Sequence, residues 1–384
     1  MRTRQLGLIA LALLLALAAA LPALGAPKGR PFDGVPPGLE DNNPPGLADK
    51  ETFPPGLAKG NATITFIHHN DGESDLDRVA RFATVVAEQR AAAGDSPKKG
   101  SILVSAGDNF LAGKELNASF DTDFDPFYDA LAMDLIGYDA LVIGNHEFDF
   151  GPDVLEAFVR GFSTPVPTLS ANLDFSAEAG FADLTDADGP IAASTVVYTA
   201  GRAVGIVGAT TERLPLISSP RDVVVNEVAP AVQAEVDALT ADGIDIIVLV
   251  SHLQGLDSDF ELLEGLTGID VAIGGGGDEL LANDPGEVLP GDETIIEGPY
   301  PAVATDADGE DVPVVTGPGG FKYLGALEVV FDGDGEVVSW SGGPNAVSDD
   351  VPEDPTVKAL VTDPVAAFVA ALDSDIIGTT EVDL

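Results

Sequence analysis

An α/β fold with a largely buried sheet is what this sequence predicts, on three observations. Apolar strand-like runs alternate with segments whose apolar residues recur at helical spacing. The runs are nearly unbroken, as in strands covered on both faces. Apolar residues make up 45% of the chain, so the 61–350 stretch can bury a substantial single core.

In chain order, MRTRQLGLIALALLLALAAALPALGAPKGR opens with two arginines, an apolar run broken at Pro22, and small residues around Ala23, Gly25 and Ala26. Residues 1–26 read as a secretory signal peptide, with an uncleaved anchor as the alternative. Residues 27–60 are rich in proline and glycine and repeat PPGL three times at irregular spacing, which predicts an extended, disordered tether. ITFIHHND then reads as a strand, and Leu76, Val79, Ala80, Ala83 and Val86 recur as one helical face. SILVSAGD, a short helix over FYDALAMDLIGYD, and DALVIGNHE follow. Further on, Val232, Val236 and Leu239 share a helical face that stops at Gly243 and leads into DIIVLVSH. Between Thr294 and Trp340 the helices give way to short runs punctuated by DADGED, GPGG and FDGDGE, which predict a β-hairpin-rich C-terminal part. DPTVKALVTDPVAAFVAALDSD reads as a helix interrupted at Pro364.

Composition narrows the function. With no cysteine, thiolate zinc sites and disulfides are excluded, and an exported chain must hold together by core burial, with bound metal as an optional addition. A formal charge of -46 repels phosphate backbones, which argues against binding a nucleic-acid polymer. Any anionic substrate needs a local positive charge, and a metal ion is the obvious source. The acidity itself reads as a solubility adaptation. No stretch after the leader reads as a membrane span, so the mature protein is expected to be soluble, without stable membrane insertion, and secreted, periplasmic or at the cell surface.

The informative pattern lies at the ends of the strand-like runs. ITFIHHN is followed by Asp71 and Glu73, SILVSAG by Asp108, ALVIG by Asn145 and His146, IIVLVS by His252, and DVAIGGGG by Asp278. In open α/β sheets ligands bind outside the carboxyl ends of strands. A single Asp after a strand is ordinary turn chemistry; five such ends, two of them with histidine, point to a shared site. Oxygen and imidazole ligands without thiolate suit Mn, Mg, Ca, Fe or Zn, and a pair of such ions can clamp a phosphate and activate water. His68 and His69 read as core residues or as support behind the site.

The motifs IHHNDGE, SAGDN, IGNHEFD, VSHLQG and IGGGGDE, in this order, resemble those of the calcineurin-like metallophosphoesterases, specifically the secreted 5'-nucleotidase branch. PTLSANLDF and GPGGFKYLGALEVVF extend the likeness over roughly Ile64 to Val347. The resemblance implies a sandwich of two mixed β-sheets flanked by helices. It also implies two divalent metal ions and hydrolysis of a phosphate monoester, most plausibly of a nucleotide, by a metal-activated hydroxide without a phosphoenzyme.

Under that resemblance Asp108 bridges the ions, Asp71 sits on the first, and Asn145 and His252 sit on the second. His146 faces the phosphate, with Asp149 orienting its ring. The chain departs from the family where Glu73 replaces the histidine of Asp-x-His, and where Gly276 and Asp278 replace the two histidines of Gly-His-x-His. The first site then becomes Asp71, Glu73, Asp108 and Asp278, a set that favours Mn, Mg or Ca, with Zn or Fe as alternatives. The second needs water or Asn109 to complete it. Residues 351–384 read as a connector toward a C-terminal domain that the resemblance implies and this sequence does not contain. A phosphodiesterase or cyclic-nucleotide phosphohydrolase on the same centre, and a non-catalytic Ca-binding surface module, are the alternative functions.

Overall fold

A computed structural model describes residues 60–374. The signal peptide, all of the tether before Gly60, and the last ten residues of the connector lie outside the described residues.

Two mixed sheets form the centre of the fold. In one, seven strands run in the spatial order Val337–Ala346, Tyr323–Phe331, Ala62–His69, Lys99–Ser105, Ala140–Val142, Thr168–Leu169 and Ile191–Ala192. In the other, six run Ala302–Thr305, Asp311–Val315, Val271–Ile273, Ile247–His252, Arg202–Thr210 and Ser194–Thr199. From Ala62–His69 to Ile191–Ala192 the first sheet is parallel, and so is the second from Asp311–Val315 to Arg202–Thr210. Antiparallel strands flank these parallel blocks. The DADGED turn joins one hairpin, Ala302–Thr305 with Asp311–Val315, and the FDGDGE turn joins another, Tyr323–Phe331 with Val337–Ala346. GPGG is not a hairpin turn: it carries the chain from the six-stranded sheet to the seven-stranded one.

The period-two direction of side chains explains the layers. Ile64 and Phe66 point between the sheets with Ile102, Val104, Ile206 and Val250, whereas Ile67 and Leu103 point outward. There they meet Val79, Phe82 and Val86 of the helix Val79–Ala93. On the opposite outer face Val232, Val236 and Leu239 of the helix Val228–Ala241 cover Val207 and Leu249. The result is helix, sheet, sheet, helix, with the carboxyl ends of both parallel blocks brought to one rim.

The C-terminal helix corrects two expectations. It is not interrupted at Pro364 but runs from Pro355 to Ser374, with a wider, π-helical stretch at Lys358–Thr362. That widening lies directly before the proline, where its ring would otherwise strike a carbonyl one turn back. Because the helix is continuous, Pro355–Leu372 is by length and composition apolar enough to cross a membrane. In the structure Val357, Val361 and Val365 are buried against the cluster that contains Leu76 and Ala80.

Candidate metal centre

Each candidate residue is placed by the turn that ends its strand. Asp71 and Asp108 both adopt left-handed backbone conformations, with φ of 54° and 50°, which non-glycine residues seldom occupy. The Asp71 N–H donates to the Gly107 carbonyl at 3.0 Å, locking the first two strand ends together, and the Glu73 N–H donates to the Asp108 carbonyl at 3.0 Å. Gly144 is glycine for a local reason: a Cβ there would lie 2.2 Å from Asp108 Oδ1. The tight GNH turn lets the His146 N–H donate to that same oxygen at 2.7 Å.

Glu147 secures the turn from beneath. Fully buried, it accepts from the N–H of Gly144 at 2.7 Å, of Asn109 at 2.7 Å and of Asp108 at 3.2 Å, and from the Asn109 side chain at 3.0 Å. Asn109, expected to help complete the second site, spends its side chain on Glu147 and on the Ser105 hydroxyl, 2.6 Å away.

Asp71, Asp108 and His252 are buried, and their ligand atoms lie within 4.8 Å of one another. His252 Nδ1 donates to the Ala106 carbonyl at 2.7 Å, which leaves Nε2 facing Asp108 Oδ2 at 3.0 Å and Asn145 Oδ1 at 3.2 Å. Asp71 Oδ2 accepts the Gly276 N–H at 3.0 Å and also the Asn70 amide. Burial, reinforced by the neighbouring Asp108, pushes the Asp71 pKa up to about 7 despite the opposing pull of His252. Burial disfavours a charged His252 ring, but Asp108 and Asp71 outweigh it and raise its pKa to about 10. Two buried carboxylates that borrow positive charge from an imidazole are a donor set that fits a divalent cation.

His146 stands apart from this cluster and opens to solvent, its side chain 30% exposed. Its Nδ1 meets Asp149 Oδ2 at 2.7 Å, and the Ser218 hydroxyl donates to the other Asp149 oxygen at 3.0 Å. The bond to Asp149, with further help from Asp108, raises the His146 pKa to about 9 against the effect of burial. Its Nε2 lies 3.9 Å from Asp108 Oδ2. The bond to Asp149 leaves Nε2 aimed across the mouth of the cluster.

Glu73 and Asp278 occupy the outer edge. Glu73 is half-buried, and burial, then the charge of Asp108, raise its pKa; Asp278 is exposed and close enough to add to that rise. The compact trio includes neither. His68 and His69 are buried in the core. His68 Nε2 lies 2.8 Å from the Tyr300 hydroxyl, His69 packs against Phe82 and Phe321, and burial drives both pKa values down to about 3. Sequence reasoning misses Glu147 and Gln254. The only signal for either is its place beside a candidate histidine.

No protein-family model matches the chain. Among curated proteins it is 31% identical to bovine (Bos taurus) 5'-nucleotidase over 325 residues, covering 77% of this chain and 51% of that protein. It is 31% identical to an apyrase of Anopheles gambiae over 359 residues, covering 87% and 59%. The chain thus spans about half the length of the curated relatives it matches. Among solved structures, a 5'-nucleotidase precursor from Thermus thermophilus superposes with a TM-score of 0.71 at 31% identity, covering 82% of this chain and 60% of that one. A calcineurin-like phosphoesterase from Bacillus subtilis shares the fold with a TM-score of 0.60 at 18% identity, covering 83% of this chain and 100% of that one.

Proposed function

The chain belongs to the calcineurin-like metallophosphoesterases, in their 5'-nucleotidase branch, and from that premise we propose that it hydrolyses phosphate monoesters of nucleotides with two divalent cations. Asp71, Glu73, Asp108 and Asp278 would hold the first ion, and Asp108, Asn145 and His252 the second. When bound, such ions neutralise phosphate charge and lower the pKa of water. The protein's own side chains do the rest. The protonated His146 ring faces the mouth of the cluster, where it stabilises charge on the phosphoryl oxygens and gives a proton to the leaving oxygen. Asp149 fixes which ring nitrogen carries that proton outward, and Ser218 fixes Asp149.

The observation that carries this reading is the pairing of a buried Asp71–Asp108–His252 cluster with an outward, carboxylate-oriented histidine beside it. An oxygen-rich first site makes Mn, Mg or Ca the preferred ions there. The leader sequence supports export to the periplasm, the cell surface or the medium.

The test is phosphate release from AMP, run beside bis-p-nitrophenyl phosphate, across Mn, Mg, Ca, Fe and Zn. Turnover of AMP that collapses in His146→Ala while metal uptake persists supports the reading. Turnover of the diester alone makes the protein a phosphodiesterase. No turnover with any ion leaves a metal-binding module and overturns it.

A further inference from the structure

The family resemblance puts a histidine at position 276, on the second ion, and this chain has glycine there. The space is nonetheless filled. Gly276 has a φ of 80°, and a Cβ built on it would lie 2.7 Å from Gln254 Nε2 and 2.8 Å from His252 Nε2. Gln254 reaches this spot from the neighbouring strand end, two residues after His252. To do so it adopts a φ of 73°, a conformation that residues other than glycine seldom take. Gly255 follows with a φ of 137°, completing a turn that folds the glutamine back over the histidine.

The amide end of Gln254 lies 2.6 Å from Asn145 Oδ1 and 3.4 Å from His252 Nε2, which is itself 3.0 Å from Asp108 Oδ2. Four side-chain ends, from Asp108, Asn145, His252 and Gln254, therefore converge on one small volume. As placed, Gln254 directs its nitrogen at Asn145. The oxygen and nitrogen of a carboxamide are nearly isosteric, and a half-turn about the last bond exchanges them.

We propose that Gln254 is a ligand of the second ion, offering Oε1 in place of the side chain that Gly276 lacks. This assignment rests on the two-ion reading above. A neutral amide oxygen is a hard donor, so the substitution shifts the second site, like the first, toward Mn, Mg or Ca and away from Zn. It also explains why position 276 is glycine here: the glutamine and a side chain at 276 compete for the same space.

The experiment counts metal. Full-length wild type, Gln254→Ala, Gln254→Met and Gln254→Glu are stripped with chelator and shown to be folded by circular dichroism. They are then dialysed against fixed free Mn, and bound Mn is measured by elemental analysis and titration calorimetry. Wild type is expected to hold two ions. Gln254→Ala and the volume-preserving Gln254→Met are expected to hold one, with the weaker site loosened at least about a hundredfold. Gln254→Glu keeps an oxygen in place and is expected to hold two. Two ions at unchanged affinity in Gln254→Ala and Gln254→Met overturn the assignment alone. Loss of the second ion in Gln254→Glu as well also overturns it, because it makes the amide a hydrogen-bond donor to Asn145. Fewer than two ions in wild type removes the two-ion reading itself, and the assignment with it.

Discussion

The rims of the two sheets contribute to the centre in different ways. On the seven-stranded sheet, Asp71, Asp108 and Asn145 sit on consecutive parallel strand ends; backbone hydrogen bonds tie Asp71 to Gly107 and Glu73 to Asp108, and the His146 N–H donates to the Asp108 carboxylate. Glu147 clamps the turn from below. On the six-stranded sheet, His252 is the buried side chain of the cluster, and the loop after Val271–Ile273 offers the Gly276 N–H to Asp71. The first rim is held by its own hydrogen-bond network, whereas the second is shaped by the space its glycines leave. Departures from the family's ligand set fall on both rims, at Glu73 on the first and at Gly276 and Asp278 on the second.

Substitutions can break this contrast if it is wrong. Asp108→Ala should have the largest effect: it removes the group shared by both rims, and AMP hydrolysis with Mn should fall by about 10⁴-fold or more, to background. His146→Ala should lower kcat by about 10²–10⁴-fold with Mn content unchanged, the outcome that the proposed role of the ring in proton transfer and charge stabilisation requires.

Asp129 tests whether burial alone shifts a carboxylate as strongly as the site does. In the first turn of the helix Tyr128–Ile136, it is fully buried, and burial pushes its pKa up to about 7. A folded-state pKa raised above the unfolded value of about 3.9 means the native state retains a proton that the unfolded state releases. Its contribution to stability is complete below pH ~4 and is lost as pH rises to ~7, a change of up to about 4 kcal/mol. Asp129→Asn should abolish that fall, read as urea unfolding curves whose difference from wild type grows between pH 4 and 7.

Chelation should then lower stability by about 3 kcal/mol for each ion held at a free Mn concentration a hundred times that site's Kd. The same chelation should change little in Asp108→Ala, as thermal unfolding will show. The smallest effect belongs to Asp278→Ala. Exposed at the edge of the second rim and one of four carboxylates proposed for the first ion, Asp278 should cost about ten- to a hundredfold in Mn affinity, with a smaller loss of AMP turnover. A loss as large as that of Asp108→Ala would put the two rims on an equal footing.

Much of this was legible in the sequence because it follows from periodicity and strand ends. Val232, Val236 and Leu239 share a helical face because 3.6 residues make a turn, and the structure buries all three. Asp71, Asp108, Asn145 and His252 could be placed together because parallel strands deliver their carboxyl ends to one rim. What could not be read depends on fit between distant segments. Glu147, in a chain with 64 acidic residues, looks like one more surface charge until its oxygens meet three backbone N–H groups. Gln254 is invisible beside His252 until the room over Gly276 is known. Asn109 looked free to ligate, but Ser105 and Glu147 claim it. The continuity of the helix through Pro364 depends on a local widening that no residue preference announces.

The strand Ala62–His69, which delivers Asp71, lies between Lys99–Ser105 and Tyr323–Phe331, the latter arriving roughly 260 residues later in the chain. As the polypeptide leaves the ribosome, this strand keeps one open edge until nearly the whole domain has been made.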